Sequence, residues 1–444
     1  MSVIAELATF VAGAKASALI PPHRERLRLH LTDTVMAALA GSSISEGKAL
    51  RSLGSTGALA DRIARCAATT RLTEIDDIHM QSCVTPSAGA VPVALMLAAH
   101  QTEVDAEEVA SAIWAGTEIA TRLGVGVNGP RILYRGIWPT YLVAPVAAAA
   151  TAARLFGLNA DRTAHALSLA FMMSAGGVGH IHGAPSGRWF LYANAIAGGI
   201  AAAAAARDGY HGDPDLLDHD WITDTHGLAL DRSRLTEKLG QGSVYSELSM
   251  KPFCSAKQGV AAVQAFSAIV QAEQIRGDAI TRVRVHVPPA YVGMLSTRAQ
   301  PGARQTTFVS ISHQIALCAV APMQLFDVDR SAPAIDPGIA QLAAKVEVVP
   351  DTTLEAFYPL HWPAEVEVQV GNKAFRDRII AAAGDPETPL SPAEIEDKGH
   401  RVLDTLVGAP RVDEWLTMCK TVFDGNAECE RLALAFAKLS DGTG

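Results

Sequence analysis

The chain has 444 residues, 49% hydrophobic and 19% charged, with a formal net charge of -9. That length can bury a large core in two or three domains, and the composition is globular, not disordered. An acidic chain with no block of five or more Lys/Arg excludes nucleic acid and an anionic membrane as expected partners; an anionic substrate would need cations gathered locally.

The start, Met1-Ser2-Val3-Ile4, has neither the basic region nor the cleavage site of a signal peptide. Residues 73–79 then concentrate Glu74, Asp76, Asp77 and His79 just ahead of Thr85-Pro86-Ser87 and an apolar helix. Acids this close raise one another's pKa and can hold a proton for acid catalysis. Composition alone reads the same segment as a solvated turn capping the helix. Asp105 with Glu108 forms a capping box, and Val104 faces Val109 as a staple, so an amphipathic helix begins there. The stretch from Arg135 to Tyr141 places Trp138 and Tyr141 at the entrance of an Ala-rich helix, where anions are favoured.

Leu158-Asn159 opens a further helix, and Arg188-Trp189 precedes a second Ala-rich one. The two Ala-rich runs, 143–153 and 193–206, are shorter than the roughly 20 apolar residues that cross a bilayer. Between them, Gly176-Gly177-Val178-Gly179 follows a helical pattern and not a strand, which disfavours a nucleotide cradle. His180 and His182 are two apart and have no evident third ligand, so no metal is expected.

From about residue 250 the pattern changes. Lys251-Pro252-Phe253 and Lys257 lead into a helix over 258–275, and His313 heads another over 310–320. Residues 281–287 alternate strictly, as do 346–349 and 365–370, the last followed by a Gly371-Asn372 turn; these are half-buried strands. Gly384-Asp385-Pro386 marks a boundary, and Ser391-Pro392-Ala393-Glu394 starts a helix with N-cap, proline and capping-box Glu; helix continues to about Lys438. The fold class is therefore mainly α with a smaller α+β domain. An all-helical domain spans 1–250 and 386–444, and an α+β domain spans 251–385.

No Walker A loop, strand-borne G-x-G-x-x-G, H-E-x-x-H or G-x-S-x-G occurs. The six cysteines are scattered without a C-x-x-C pair, which points to reduced, buried thiols and a cytoplasmic protein.

Taken in order, Glu74-x-Asp76-Asp77, Pro86-Ser87, Gly136-x-x-Pro139, Ser174-Ala175-Gly176 with Arg188 and Asn194-Ala195, Lys251-Pro252-Phe253, and Gly384-Asp385-Pro386 with Pro389 resemble the MmgE/PrpD family over almost the whole chain. The resemblance implies a helical domain built from both chain ends, an inserted α+β domain, a homodimer, and a site between the domains. It also implies cofactor-free chemistry on a small anionic polycarboxylate: dehydration of 2-methylcitrate, decarboxylation of cis-aconitate or epimerisation of iminodisuccinate.

The departures from the family's lyases matter. Thr85-Pro86 stands where they carry His-Pro, and Trp138 where they carry a second His. Their Lys ahead of the small-residue helix is Arg188, which keeps the charge but not a titratable ammonium. A later His falls near Ala256, beside Lys257, and a Tyr becomes His313. This pattern points to an epimerase, with a lyase or a non-catalytic ligand-binding member as alternatives. Lys257 and His313 are the candidate acid–base pair, with Tyr141 or His79 as substitutes. Arg188 and Lys251 would hold carboxylates, Asp76 and Asp77 would orient a base or line the pocket, and Trp138 and Thr85 would contact substrate.

Overall fold

A computed structural model describes residues 1–53, 57–174, 186–241, 244–330 and 334–441. The chain is mainly α-helical and divides into two compact units. One is helical and comprises the described residues of 1–248 and 403–441; the other comprises those of 249–402. The boundary between residues 402 and 403 falls within the helix Pro392–Val407.

In the helical unit the caps fall where the side chains dictate. Asp105 accepts from the backbone N–H groups of Glu107 and Glu108, at 2.8 and 3.3 Å, and starts the helix Ala106–Gly126. Asn159 accepts from Arg162 N at 2.9 Å and starts Ala160–Met172. Such caps satisfy donors that the first helical turn leaves without partners.

The helix Gly187–Arg207 packs against both Leu59–Arg71 and Pro139–Leu155, and Pro139–Leu155 also packs against Ala106–Gly126. Small residues permit the close approach. A Cβ on Gly199 would lie 2.1 Å from the Pro145 carbonyl oxygen, so no other residue fits there without moving a helix. Gly187–Arg207 also corrects an expectation. The Ala-rich run is short, but the helix extends back through Trp189 and Tyr192 to 21 residues and is long and apolar enough to cross a membrane. Half of its apolar window is buried inside the unit.

The second unit holds a four-stranded sheet in the order Val346–Pro350, Arg282–Val287, Ala364–Val370, Lys373–Ile379. The first pair is parallel and the others are antiparallel, with Gly371 at a φ of 58° in the hairpin turn. In Arg282–Val287 the alternation has its structural counterpart: Val283, Val285 and Val287 are buried, and the residues between them are only partly so. Helices Val260–Ala272 and Ile311–Val320 belong to this unit; the former packs on the sheet. Ser391 and Glu394 form the capping box reciprocally: Ser391 N donates to the Glu394 carboxylate at 2.8 Å, and Glu394 N donates to Ser391 Oγ at 3.3 Å. All six cysteines are free thiols, five of them buried.

Candidate active site

The acidic segment does not act as one cluster. Asp76 pairs with Arg71, the last residue of the Leu59–Arg71 helix, at 3.2 Å. Asp77 accepts from His30 Nδ1 at 2.9 Å, from Ser87 N at 3.3 Å and from the Ser87 hydroxyl. His79 bonds Ser82 through Nδ1 at 2.9 Å and Glu247 through Nε2 at 3.0 Å, and this bond holds the Glu247 carboxyl below its ordinary range. Asp76 and Asp77 are thus paired separately: neighbouring side chains leave the backbone in different directions, and each carboxylate meets its own donors. Asp77 anchors the first turn of the helix Ser87–Ala98, as the capping-turn reading expects, but the segment is buried and not solvated: Asp76 and Asp77 are both 0% exposed.

Around Arg71 a second cluster forms, entirely within the helical unit. Glu74 carries one oxygen to Arg71 at 3.0 Å and the other to Arg188 at 3.5 Å. The Arg188 guanidinium carbon lies 4.2 Å from the Trp189 ring centroid and 5.0 Å from that of Trp138, while Arg71 sits 5.7 Å from Trp189. These are cation–π distances, and guanidinium planes suit such faces. Trp138 stacks on Tyr141 with centroids 5.6 Å apart, and Tyr141 meets Tyr192 at 5.2 Å. Trp189 Nε1 donates to Glu46 at 3.1 Å.

Local sequence explains the convergence. Trp138 is the N-cap of Pro139–Leu155, Tyr141 lies in its first turn, and Arg188 begins Gly187–Arg207 with Tyr192 one turn later on the same face. Burial would lower the Arg71 guanidinium, but Asp76 and Glu74 outweigh it and raise it. Burial pushes the Tyr141 phenol up to about 12, despite the opposing pull of Arg71 and Arg188. At neutral pH it is therefore a proton donor. Its hydroxyl is 1% exposed as part of Tyr141 and has no hydrogen-bond partner among the described residues.

Of the residues the sequence nominates, Asp76, Arg188, Trp138 and Tyr141 come together here. Thr85 is buried against the neighbour of Tyr141: its N–H donates to Thr140 Oγ1 at 3.1 Å. His79 instead lines a cavity of about 420 Å³ with Glu118, Arg122 and Glu247, and that lining includes none of Arg71, Arg188 and Tyr141. In the α+β unit Lys251 and Lys257 are both buried. Lys257 donates to Asp385, whose carboxylate also accepts from Ser249 Oγ at 2.7 Å and Ala382 N at 2.8 Å. His313 sits in the first turn of Ile311–Val320 and borders a cavity of about 330 Å³ with Arg298, Ser296 and Ser312. Burial, aided by Arg330, lowers its imidazole to about 4, so it is neutral at pH 7.

Sequence reasoning missed Arg71 and Tyr192. The available signals were an Arg ending a helix three and five residues before Glu74 and Asp76, and a Tyr four residues after Arg188. Among the described residues no group of three His, Cys, Asp or Glu side chains is arranged to hold a metal ion. His180, His182 and the Gly176–Gly179 run lie outside the described residues.

No curated protein sequence matches the chain. Family models do match: the MmgE/PrpD N-terminal domain covers residues 64–225 and the MmgE/PrpD C-terminal domain covers residues 253–421. Together they span most of the sequence, and the chain belongs to the MmgE/PrpD family, whose members are generally enzymes.

Proposed function

We propose that this protein is a cofactor-independent epimerase that inverts the α-carbon of a small polycarboxylate of the iminodisuccinate type. The observation that carries the reading is the buried pairing of guanidinium groups with a protonated phenol. Arg188 and Arg71 are charged under aromatic cover, and Tyr141 beside them holds its proton at neutral pH. Removing an α-proton gives a carboxylate enolate character. Cations fixed in advance stabilise that charge as it develops, and a buried acid returns the proton.

In this proposal Arg188 and Lys251 hold carboxylates, and Tyr141 is a proton donor. Lys257 and His313 remain the candidates for the remaining proton transfer, His313 being a neutral acceptor at pH 7. A second reading, dehydration or decarboxylation of a tricarboxylate, also gains from a phenolic acid, which can protonate a leaving hydroxyl.

Incubation with iminodisuccinate, 2-methylcitrate and cis-aconitate in D2O, followed by proton NMR, separates the two. Deuterium entering the α-position of a compound that otherwise survives is the expected result. Loss of water or CO2 without such exchange overturns epimerisation in favour of a lyase.

A further inference from the structure

Resting on the polycarboxylate reading, we infer that Arg71 and Arg188 together form one carboxylate subsite, and that Glu74 occupies it as an internal stand-in which the ligand's carboxylate displaces. Three observations converge. Glu74 spans the two guanidiniums with one oxygen each, at 3.0 and 3.5 Å, the way a bound carboxylate would bridge them. Its backbone is held at a φ of 55°, a left-handed conformation that L side chains rarely adopt and that persists only where surrounding contacts impose it.

Two further donors in the cluster, the Tyr141 hydroxyl and Arg71 Nε, are buried and have no hydrogen-bond partner among the described residues. Buried donors without partners are costly and are what a ligand's oxygens would satisfy.

The charge balance supplies the reason for displacement. Arg71 and Arg188 are already met by Glu74 and Asp76 in buried surroundings. A polyanion added to that set would bring uncompensated negative charge into a region of low dielectric. Withdrawing Glu74 removes one of those charges and vacates its place on both guanidiniums. Glu74 is the carboxylate that leaves because it is shared between both arginines and sits on left-handed backbone. Arg71 thereby becomes a binding residue and Glu74 a competitor that keeps weak monoanions out.

The test measures binding and not turnover. Isothermal titration of the full-length protein with propane-1,2,3-tricarboxylate, an unreactive analogue, is compared between wild type and Glu74→Gln. The amide keeps the shape and removes the charge, so at least tenfold tighter binding is expected. Glu74→Asp, too short to span both arginines, should shift affinity the same way by a smaller factor, and it serves if the Gln variant does not fold. Unchanged or weaker binding in the variants overturns the inference. Wild-type binding without variant improvement leaves the polycarboxylate reading standing and removes the stand-in. Tighter variant binding with no α-proton exchange on any substrate does the reverse. If no variant binds the tricarboxylate, both fall.

Discussion

Lys257 and Asp385 offer the sharpest perturbation. Both side chains are about 1% exposed, and the Asp385 carboxylate is met by three donors: Lys257, Ser249 Oγ and Ala382 N. Lys257→Met keeps much of the aliphatic stem but leaves Asp385 with two neutral donors and no countercharge. Removing one partner of a buried ion pair costs about 3–5 kcal/mol. For a unit of this size each kcal/mol lowers the melting temperature by about 2–4 °C, so a fall of about 6–20 °C is expected by calorimetry. The loss should shrink at acid pH, because a buried carboxyl without a countercharge escapes the penalty by taking a proton. Lys257→Met/Asp385→Asn should recover most of it, since two neutral partners need no countercharge. A single Met variant melting within about 2 °C of wild type would refute the argument. The folded double variant then asks the chemical question: retained α-proton exchange removes Lys257 as a base. An alanine variant alone would confuse lost chemistry with lost folding.

Tyr141→Phe should leave melting unchanged or slightly raised, because the hydroxyl has no partner among the described residues, yet lower the exchange rate by about 10²–10⁴-fold if it is the acid. Asp77→Ala strips acceptors from His30 Nδ1, Ser87 N and Ser87 Oγ, and should cost at least about 2–3 kcal/mol in urea unfolding while binding of tricarboxylate persists in the folded fraction. His313 titrates near 4 in the folded state against an ordinary 6.5. The unfolded chain therefore binds a proton that the folded chain refuses between those values. Stability drops as pH falls through this window, and His313→Gln should flatten that part of the stability–pH curve. Unfolding curves of both proteins at pH 7 and pH 4.5 check it.

Helix starts and strands were readable because their causes are local. Asp105, Asn159 and Ser391 each cap a helix through groups two or three residues away, and the valines of 283–287 alternate within a single strand. What could not be read depends on distant partners. His30 meets Asp77 across 47 residues, Lys257 meets Asp385 across 128, and Trp189 meets Glu46 across 143. Gly384-Asp385-Pro386 was visible as a motif, but its purpose was not. Gly384 holds a φ of 91° with its Cα against the Met250 carbonyl, where a Cβ would fall at 2.1 Å; its own carbonyl accepts from Met250 N at 2.8 Å. That clip delivers Asp385 to Ser249 and Lys257, so part of the motif serves folding of the α+β unit.

The acidic segment shows why a motif can be sound evidence of kinship and poor evidence of role. Within six residues its side chains enter three different environments: Glu74 and Asp76 on Arg71, Asp77 on His30 and Ser87, and His79 on Glu247. Only the first faces the aromatic-covered guanidiniums. Asp77, equally buried, is engaged by His30 and by the Ser87 N–H and hydroxyl, donors that fix the start of the Ser87–Ala98 helix. In the proposed reaction the chemistry of this unit falls to the cations that the acids neutralise. If epimerisation is the reaction, its charge stabilisation comes from Arg71 and Arg188 and its proton from Tyr141, and the acids of the motif act by tuning and occupying those cations.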